Sequence, residues 1–183
     1  MDSVADRYRR VAAGFTAKVT AVPDDAWPNP APCDGWTTRD LVRHAVDSSG
    51  IFLGFIGRQV PAEPSVDDDP VRAWTNARDA VQAALDDPAA ARAEYDGFRG
   101  RSTFEAAINQ FICPDVTVHT WDLARAAGLD ERLDGEAVRA AYAGFREFPE
   151  NMLRSPGVCG PAVEAPAGAD EQTEMLAFLG RRA

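Results

Sequence analysis

Apolar residues recur at three- and four-residue spacings along the first stretch of the chain, at Val4, Tyr8, Val11, Phe15, Val19 and Val22. This pattern predicts an amphipathic helix over 3–22, which Pro23 stops. A proline-rich loop over 28–36 follows, and Thr37 and Asp40 then carry the spacing of a capping box. The helix they open keeps Leu41, Val42, Ala45, Val46, Phe52, Leu53 and Ile56 in register up to Gly57, which reads as its end signal. Residues 61–69 read as loop. Asp69-Pro70 supplies an N-cap and a first-turn proline for a third helix reaching 85, ended by Asp86-Asp87-Pro88. An irregular connection is expected over 95–101. Ser102 and Glu105 then form a second capping-box pattern and open a long helical segment to Gly128, with a bend or break expected just before Asp115 because Pro114 lies inside it. A fifth helix is predicted over 134–148 and a shorter sixth over 170–179, joined by the Gly/Pro/Ala-rich stretch 155–169. No strong period-2 strand appears, although 161–165 reads as a short extended piece, and no repeat or low-complexity tract is evident. The expected fold class is all-α: a four-helix bundle with long crossover connections and short C-terminal helices.

With 183 residues the chain needs only one core, so a single domain over 1–183 is expected. Twenty-nine acidic against nineteen basic residues leave a formal net charge of -10, which repels nucleic acid on average. No apolar run is long enough to span a bilayer, and the start has an acid at its second position and no apolar core of a secretion signal. A cytoplasmic protein without membrane contact is therefore expected. Its three cysteines, Cys33, Cys113 and Cys159, form no C-x-x-C pair and are expected as reduced thiols. Lys18 is the sole lysine, so nearly every base is an arginine, the residue suited to planar recognition of carboxylates and phosphates.

The chain has two histidines, His44 and His119, each in a predicted long helix. Asp115 lies four residues before His119, so both side chains leave one helical face about a turn apart and can converge on one ion. This face begins apolar with Ile108 and Ile112 and turns polar where it should be core, so it needs a polar partner. His44, beside Leu41 and Ala45, can be that partner, and two imidazoles with one carboxylate make a ligand set that leaves positions open for water or substrate. Spacing alone leaves the alternative open: His44 as an ordinary hydrogen-bonded helix residue and Asp115/His119 as a hydrogen-bonded pair. Asp122 either orients His119 from behind or pairs with Arg125 at the surface. A Ser48/His44 dyad lacks any oxyanion motif, and no G-x-S-x-G, Walker, G-x-G-x-x-G or H-E-x-x-H signature is present.

Two segments carry a resemblance: 33–44, CDGWTTRDLVRH, and 115–126, DVTVHTWDLARA. Together they resemble the DinB/YfiT-like superfamily, in its actinobacterial branch related to the N-terminal domain of mycothiol-dependent maleylpyruvate isomerase. The C-terminal text over 161–181 is similar to the same branch. The resemblance implies a DinB-like four-helix bundle holding a divalent metal, commonly zinc, through His44, Asp115 and His119. Where that family more often has Glu or His, this chain has the shorter Asp115, with Pro114 beside it. It further implies thiol chemistry: a low-molecular-weight thiol such as mycothiol, activated for transfer to, or isomerisation of, a small electrophile. The alternative is a non-catalytic metal or small-molecule binding protein of the superfamily; a helical interaction protein with a merely structural Asp115/His119 pair is a third reading. Trp36, Arg39 and Arg43 are the residues expected to contact the thiol cosubstrate, the arginines through a carboxylate. The expected partner is a small-molecule substrate, with a homodimer as the candidate assembly. Neither the electrophile, the pathway nor the native metal is legible in the sequence.

Overall fold

The computed structural model describes residues 2–97, 100–155 and 157–183. Helix α1 (Val4–Ala21) starts where Ser3 accepts a hydrogen bond from the Asp6 backbone N–H at 3.1 Å. Helix α2 (Thr38–Phe55) opens with a full capping box: the Thr37 hydroxyl accepts from the Asp40 backbone N–H at 3.3 Å, and the Asp40 carboxylate accepts from the Thr37 backbone N–H at 2.9 Å. Asp69 caps α3 (Pro70–Asp86), and Asp87 caps a short α4 (Pro88–Ala91) that the sequence pattern did not predict. Four-residue helices carry too little periodicity to be seen in sequence.

Two further expectations are corrected in the next stretch. Strands β1 (Glu94–Gly97) and β2 (Gly100–Thr103) pair antiparallel, with Tyr95 opposite Ser102, where an irregular connection was expected; 98 and 99, which fall in that connection, lie outside the described residues. The strands are only four residues long and rich in polar residues and glycine, so no alternation announces them. Because Ser102 is committed to the ladder, the cap of α5 (Phe104–Ala107) moves one residue on. The Thr103 hydroxyl, rather than that of Ser102, accepts from the Ala106 backbone N–H, at 3.3 Å.

The expected break before Asp115 takes the form of a π-turn over Ile108–Ile112, after which the chain resumes as α6 (Cys113–Ala127). The Cys113 N–H reaches back five residues to the Ile108 carbonyl. Pro114 follows at once, and the extra residue in the turn absorbs the hydrogen bond its ring cannot make. Gly128, at φ 68°, ends α6. Helices α7 (Gly135–Glu147), α8 (Glu150–Leu153) and α9 (Glu171–Phe178) complete the chain, with Asp134 and Asp170 as the caps of α7 and α9. Within the stretch 155–169, where 156 lies outside the described residues, the segment expected to be extended forms no strand. Its Val163 N–H bonds the Ala177 carbonyl of α9 at 2.9 Å.

The architecture is an all-α bundle. Helix α1 packs on α3 and α6, and α2 packs on the same two, so α1 and α2 stand on opposite corners and the loop over 22–37 crosses between them. Tyr8, Phe15, Leu41, Leu53, Trp74, Phe104 and Ile108 fill the space inside. A second cluster, Val118, Trp121, Val138, Leu153, Met175, Leu176 and Leu179, lies where α7, α8 and α9 cover the far side of α6. Helix α6 is thus enclosed on two sides, and its hydroxyls are satisfied within the helix: Thr117 bonds the Cys113 carbonyl at 2.8 Å and Thr120 the Val116 carbonyl at 2.7 Å. Among the described residues no helix is long and apolar enough to cross a membrane.

The capping box gives a pH-linked prediction. The Thr37 hydroxyl and backbone N–H hold the Asp40 carboxyl below its ordinary value of 3.8, with Arg43 adding to the effect. The stabilisation is therefore present above pH 3.8 and is lost as pH falls through the lower folded value. Thr37→Ala is expected to cost about 1 kcal/mol in urea unfolding at neutral pH. The stability gap between wild type and Asp40→Ala should narrow as the solution is acidified below about pH 4.

Candidate metal centre

The loop between α1 and α2 is built to present side chains. Its Trp36 N–H bonds the Cys33 carbonyl at 3.0 Å around Gly35, whose φ of 77° such a turn requires. The Ala31 N–H bonds the Trp36 carbonyl at 2.8 Å, and the Asn29 side chain donates to the Ala126 carbonyl at 3.1 Å, which ties the loop to the end of α6. Cys33 and Trp36 are thereby held over one face of α6. His44 arrives on the same face from the second turn of α2, behind the capping box.

There the structure brings His44, Asp115 and His119 together. His44 Nε2 lies 3.1 Å from Asp115 Oδ2, and His119 Nε2 lies 3.4 Å from Asp115 Oδ1. One donor atom from each of the three falls within 4.8 Å of the others. Ligands about 2.1 Å from a tetrahedral ion are about 3.4 Å apart, the separation of His119 Nε2 from Asp115 Oδ1, whereas His44 Nε2 stands at hydrogen-bond distance from the other oxygen. Asp115 is the bridging member and remains a third exposed, as does His44, whereas the His119 side chain is nearly buried. Trp36 walls one side, its ring centroid 5.0 Å from that of His44 and 5.9 Å from that of His119.

Behind His119 the environment becomes fully enclosed. Its Nδ1 lies 2.9 Å from Asp122 Oδ2, and Asp122 has no exposed surface. Arg181 grips that carboxylate with two bonds, Nε to Oδ1 at 2.9 Å and a terminal nitrogen to Oδ2 at 2.7 Å. Of the two readings open for Asp122, the structure therefore has the one in which it orients His119. Arg125 instead pairs with Glu131 at 2.9 Å and lies over the Trp121 ring.

The charges follow from these contacts. Burial alone would raise the Asp122 carboxyl, but the bonds to Arg181 and His119 outweigh it and bring its pKa down to about 2. Burial works likewise against the charged forms of Asp115 and His119, yet their mutual attraction prevails: Asp115 is held below the usual carboxylate range, and His119 is raised well above 6.5. An ionised Asp122 can only accept, so His119 Nδ1 must carry the proton. In a neutral His119 the other nitrogen, Nε2, is then a bare lone pair aimed at an ionised carboxylate 3.4 Å away. Two acceptors facing each other require a cation between them, either a second proton or a metal ion.

Arg39 and Arg43, expected to hold a carboxylate of the thiol, are engaged elsewhere. Arg39 donates to the carbonyls of Val66 and Asp67 at 2.8 and 3.1 Å and lies over the Trp27 ring, and Arg43 pairs with Asp67 at 2.7 Å. Both tie the loop over 61–69 to α2. Among the described residues no hydrogen bond joins Ser48 to His44. The sequence reading missed Arg181 and the place of Cys33, whose Sγ is 3.6 Å from both Asp122 and Arg181. The signal available was chemical: a carboxylate on a buried helix needs a cation, and Gly180-Arg181 offers one just past a helix end.

A family model described as the mycothiol maleylpyruvate isomerase N-terminal domain matches residues 8–124. Two uncharacterized proteins of Mycobacterium tuberculosis, from strains CDC 1551 / Oshkosh and ATCC 25618 / H37Rv, are each 29% identical over 187 residues, covering 95% of this chain and 95% of theirs. No solved structure matches.

Removing Asp122 should expose the energetics of the arrangement. Asp122→Ala leaves the Arg181 guanidinium buried without its carboxylate and is expected to cost about 3 kcal/mol or more. Asp115→Ala, at a partly exposed position, should cost clearly less; chemical denaturation of both variants, freed of metal, checks the order.

Proposed function

We propose that this chain, which belongs to the mycothiol maleylpyruvate isomerase N-terminal domain family, binds a divalent ion through His44, Asp115 and His119 and uses it in thiol chemistry. Zinc is the expected ion, since two imidazoles and a carboxylate are its common donors and leave a position open. The observation that carries the reading is the convergence of one donor atom each from His44, Asp115 and His119 within 4.8 Å, with His119 Nδ1 held by Asp122 so that Nε2 is the nitrogen on that side. When bound, the ion supplies a Lewis acid that lowers the pKa of a low-molecular-weight thiol, mycothiol being the natural choice given the family.

The protein's own residues do the remainder. Asp122 keeps the proton on His119 Nδ1 and so turns Nε2 toward the site. Trp36 covers one side of both imidazoles and excludes water there. The partly exposed edge of His44 and Asp115 is the side from which a thiol and a small electrophile approach. Transfer of the thiol or isomerisation of the electrophile are the reaction classes this supports.

A second reading is a metal or small-molecule binding protein without turnover, for which cavities of about 420 and 380 Å³ offer room for a small molecule away from the three donors. Turnover kinetics at saturating thiol separate the two readings.

Elemental analysis of untagged protein purified without chelators should find near-stoichiometric zinc or another divalent ion, lost in a His44→Ala/His119→Ala double variant. Absence of any ion after reconstitution would overturn the metal reading. With the ion loaded, thiol-dependent consumption of an electrophile from a broad panel is expected; mycothiol binding without turnover would leave the binding protein.

A further inference from the structure

Cys33 Sγ, His119 Nδ1 and Asp122 Oδ2 form a second donor set on the inner side of His119, within 4.8 Å of one another. It shares the His119 imidazole with the outer set but uses the opposite nitrogen. A cysteine sulfur, an imidazole and a carboxylate at this spacing are zinc-type donors, and the sulfur makes the inner set the softer of the two. The inner set, however, already has a cation. The Arg181 guanidinium lies 2.7 and 2.9 Å from the two Asp122 oxygens and 3.6 Å from Cys33 Sγ, with its side chain only 11% exposed.

Its placement is built into the backbone. At the end of α9 the Gly180 N–H bonds the Ala177 carbonyl at 3.0 Å and the Arg181 N–H bonds the Leu176 carbonyl at 2.8 Å, the paired closure that turns a chain out of a helix. Gly180 has φ 84°, and a Cβ there would sit 2.8 Å from the Pro161 carbonyl oxygen. A third bond, from Arg181 to the Leu179 carbonyl at 3.2 Å, fixes the guanidinium itself.

We propose that Arg181 is the resident cation of the inner set and a positioning residue for the outer one: its guanidinium keeps Cys33 and Asp122 closed to divalent ions, and by pairing with Asp122 it leaves that carboxylate to hold the proton on His119 Nδ1, so that His119 offers only Nε2. A divalent ion in the inner set would have to displace a fixed unit charge a few ångströms from two of its ligands, a strong repulsion in a buried environment. The choice between a site with a thiolate ligand and one without is therefore made by a residue that ligates nothing. The benefit to the outer set rests on the metal reading above; the closure of the inner set does not.

The test uses the full chain with Co²⁺ and Cd²⁺ as probes. Wild type should show no thiolate-to-cobalt charge-transfer band, and Cys33→Ser should leave its Cd²⁺ affinity unchanged within about twofold, a difference far smaller than loss of a ligand gives. Arg181→Gln should gain the thiolate band and bind Cd²⁺ roughly tenfold or more tightly, since the opposing unit charge is gone. Arg181→Lys, which keeps the charge, should stay closed, and Cys33→Ser/Arg181→Gln should lose the band again. A thiolate band in wild type overturns the proposal, as does a folded Arg181→Gln that gains neither band nor affinity. If Arg181→Gln fails to fold, Arg181→Met, of similar length and without charge, takes its place under the same criteria, and a thiolate band in Arg181→Lys overturns the proposal as one in wild type does. A wild type that binds no ion while Arg181→Gln gains the thiolate site would sink the metal reading and leave the closure standing.

Discussion

An ionised carboxylate without any exposed surface lies at the heart of this protein, and the arrangement around it exists to keep it charged. Asp122 is held between Arg181 and His119, and His119 in turn faces Asp115 and, through it, His44. Nitrogen donors and carboxylates alternate along this row from the buried interior to the partly exposed edge. Bringing such groups out of water costs several kcal/mol each, and the cost is offset only because every member has an oppositely charged or hydrogen-bonding neighbour at short range. Rows of this kind are poor devices for stability, since apolar packing would do as well, but they fix which nitrogen of an imidazole carries its proton.

The row constrains the surrounding architecture. Helix α6 supplies three of its members, so it must be enclosed, and it is: the bundle covers one side and the C-terminal helices cover the other. The π-turn before Pro114 lets the chain enter α6 without losing the helix, immediately ahead of Asp115. The loop from α1 to α2, pinned to the end of α6 through Asn29, brings Trp36 and Cys33 over the same face and delivers α2 at its capping box. The C-terminal turn then returns Arg181 to the place where Asp122 of α6 needs a cation.

Membership of the mycothiol-related, DinB-like family describes the scaffold, and a scaffold of this kind does not dictate one reaction. Within that scaffold this chain places Asp115 between two histidines and, behind them, a cysteine-containing donor set against which a guanidinium lies. The outer face has donors and an aromatic wall, while the two described cavities lie away from it. The balance between catalysis and simple binding therefore turns on how a substrate meets the exposed edge of His44 and Asp115.

Much of the fold was legible in the amino-acid order because its causes are local. Helix starts at Ser3, Thr37, Asp69, Asp134 and Asp170 are written by residues that satisfy their own first turn, and the break near Pro114 follows from a missing N–H. The spacing of Asp115 and His119 placed both on one helical face, and the two motifs marked His44 as their partner. The short hairpin and the one-residue shift of the cap from Ser102 to Thr103 were not legible, because strand pairing is decided between segments rather than within one. Nor was the partner of Asp122. Arg125 stands three residues away in sequence and Arg181 fifty-nine, and only the packing of the last helix against α6 settles that the distant one is buried with it. Sequence alone determined which residues could ligate; the tertiary structure decided which nitrogen of His119 faces which carboxylate, because burial and charge pairing act through space.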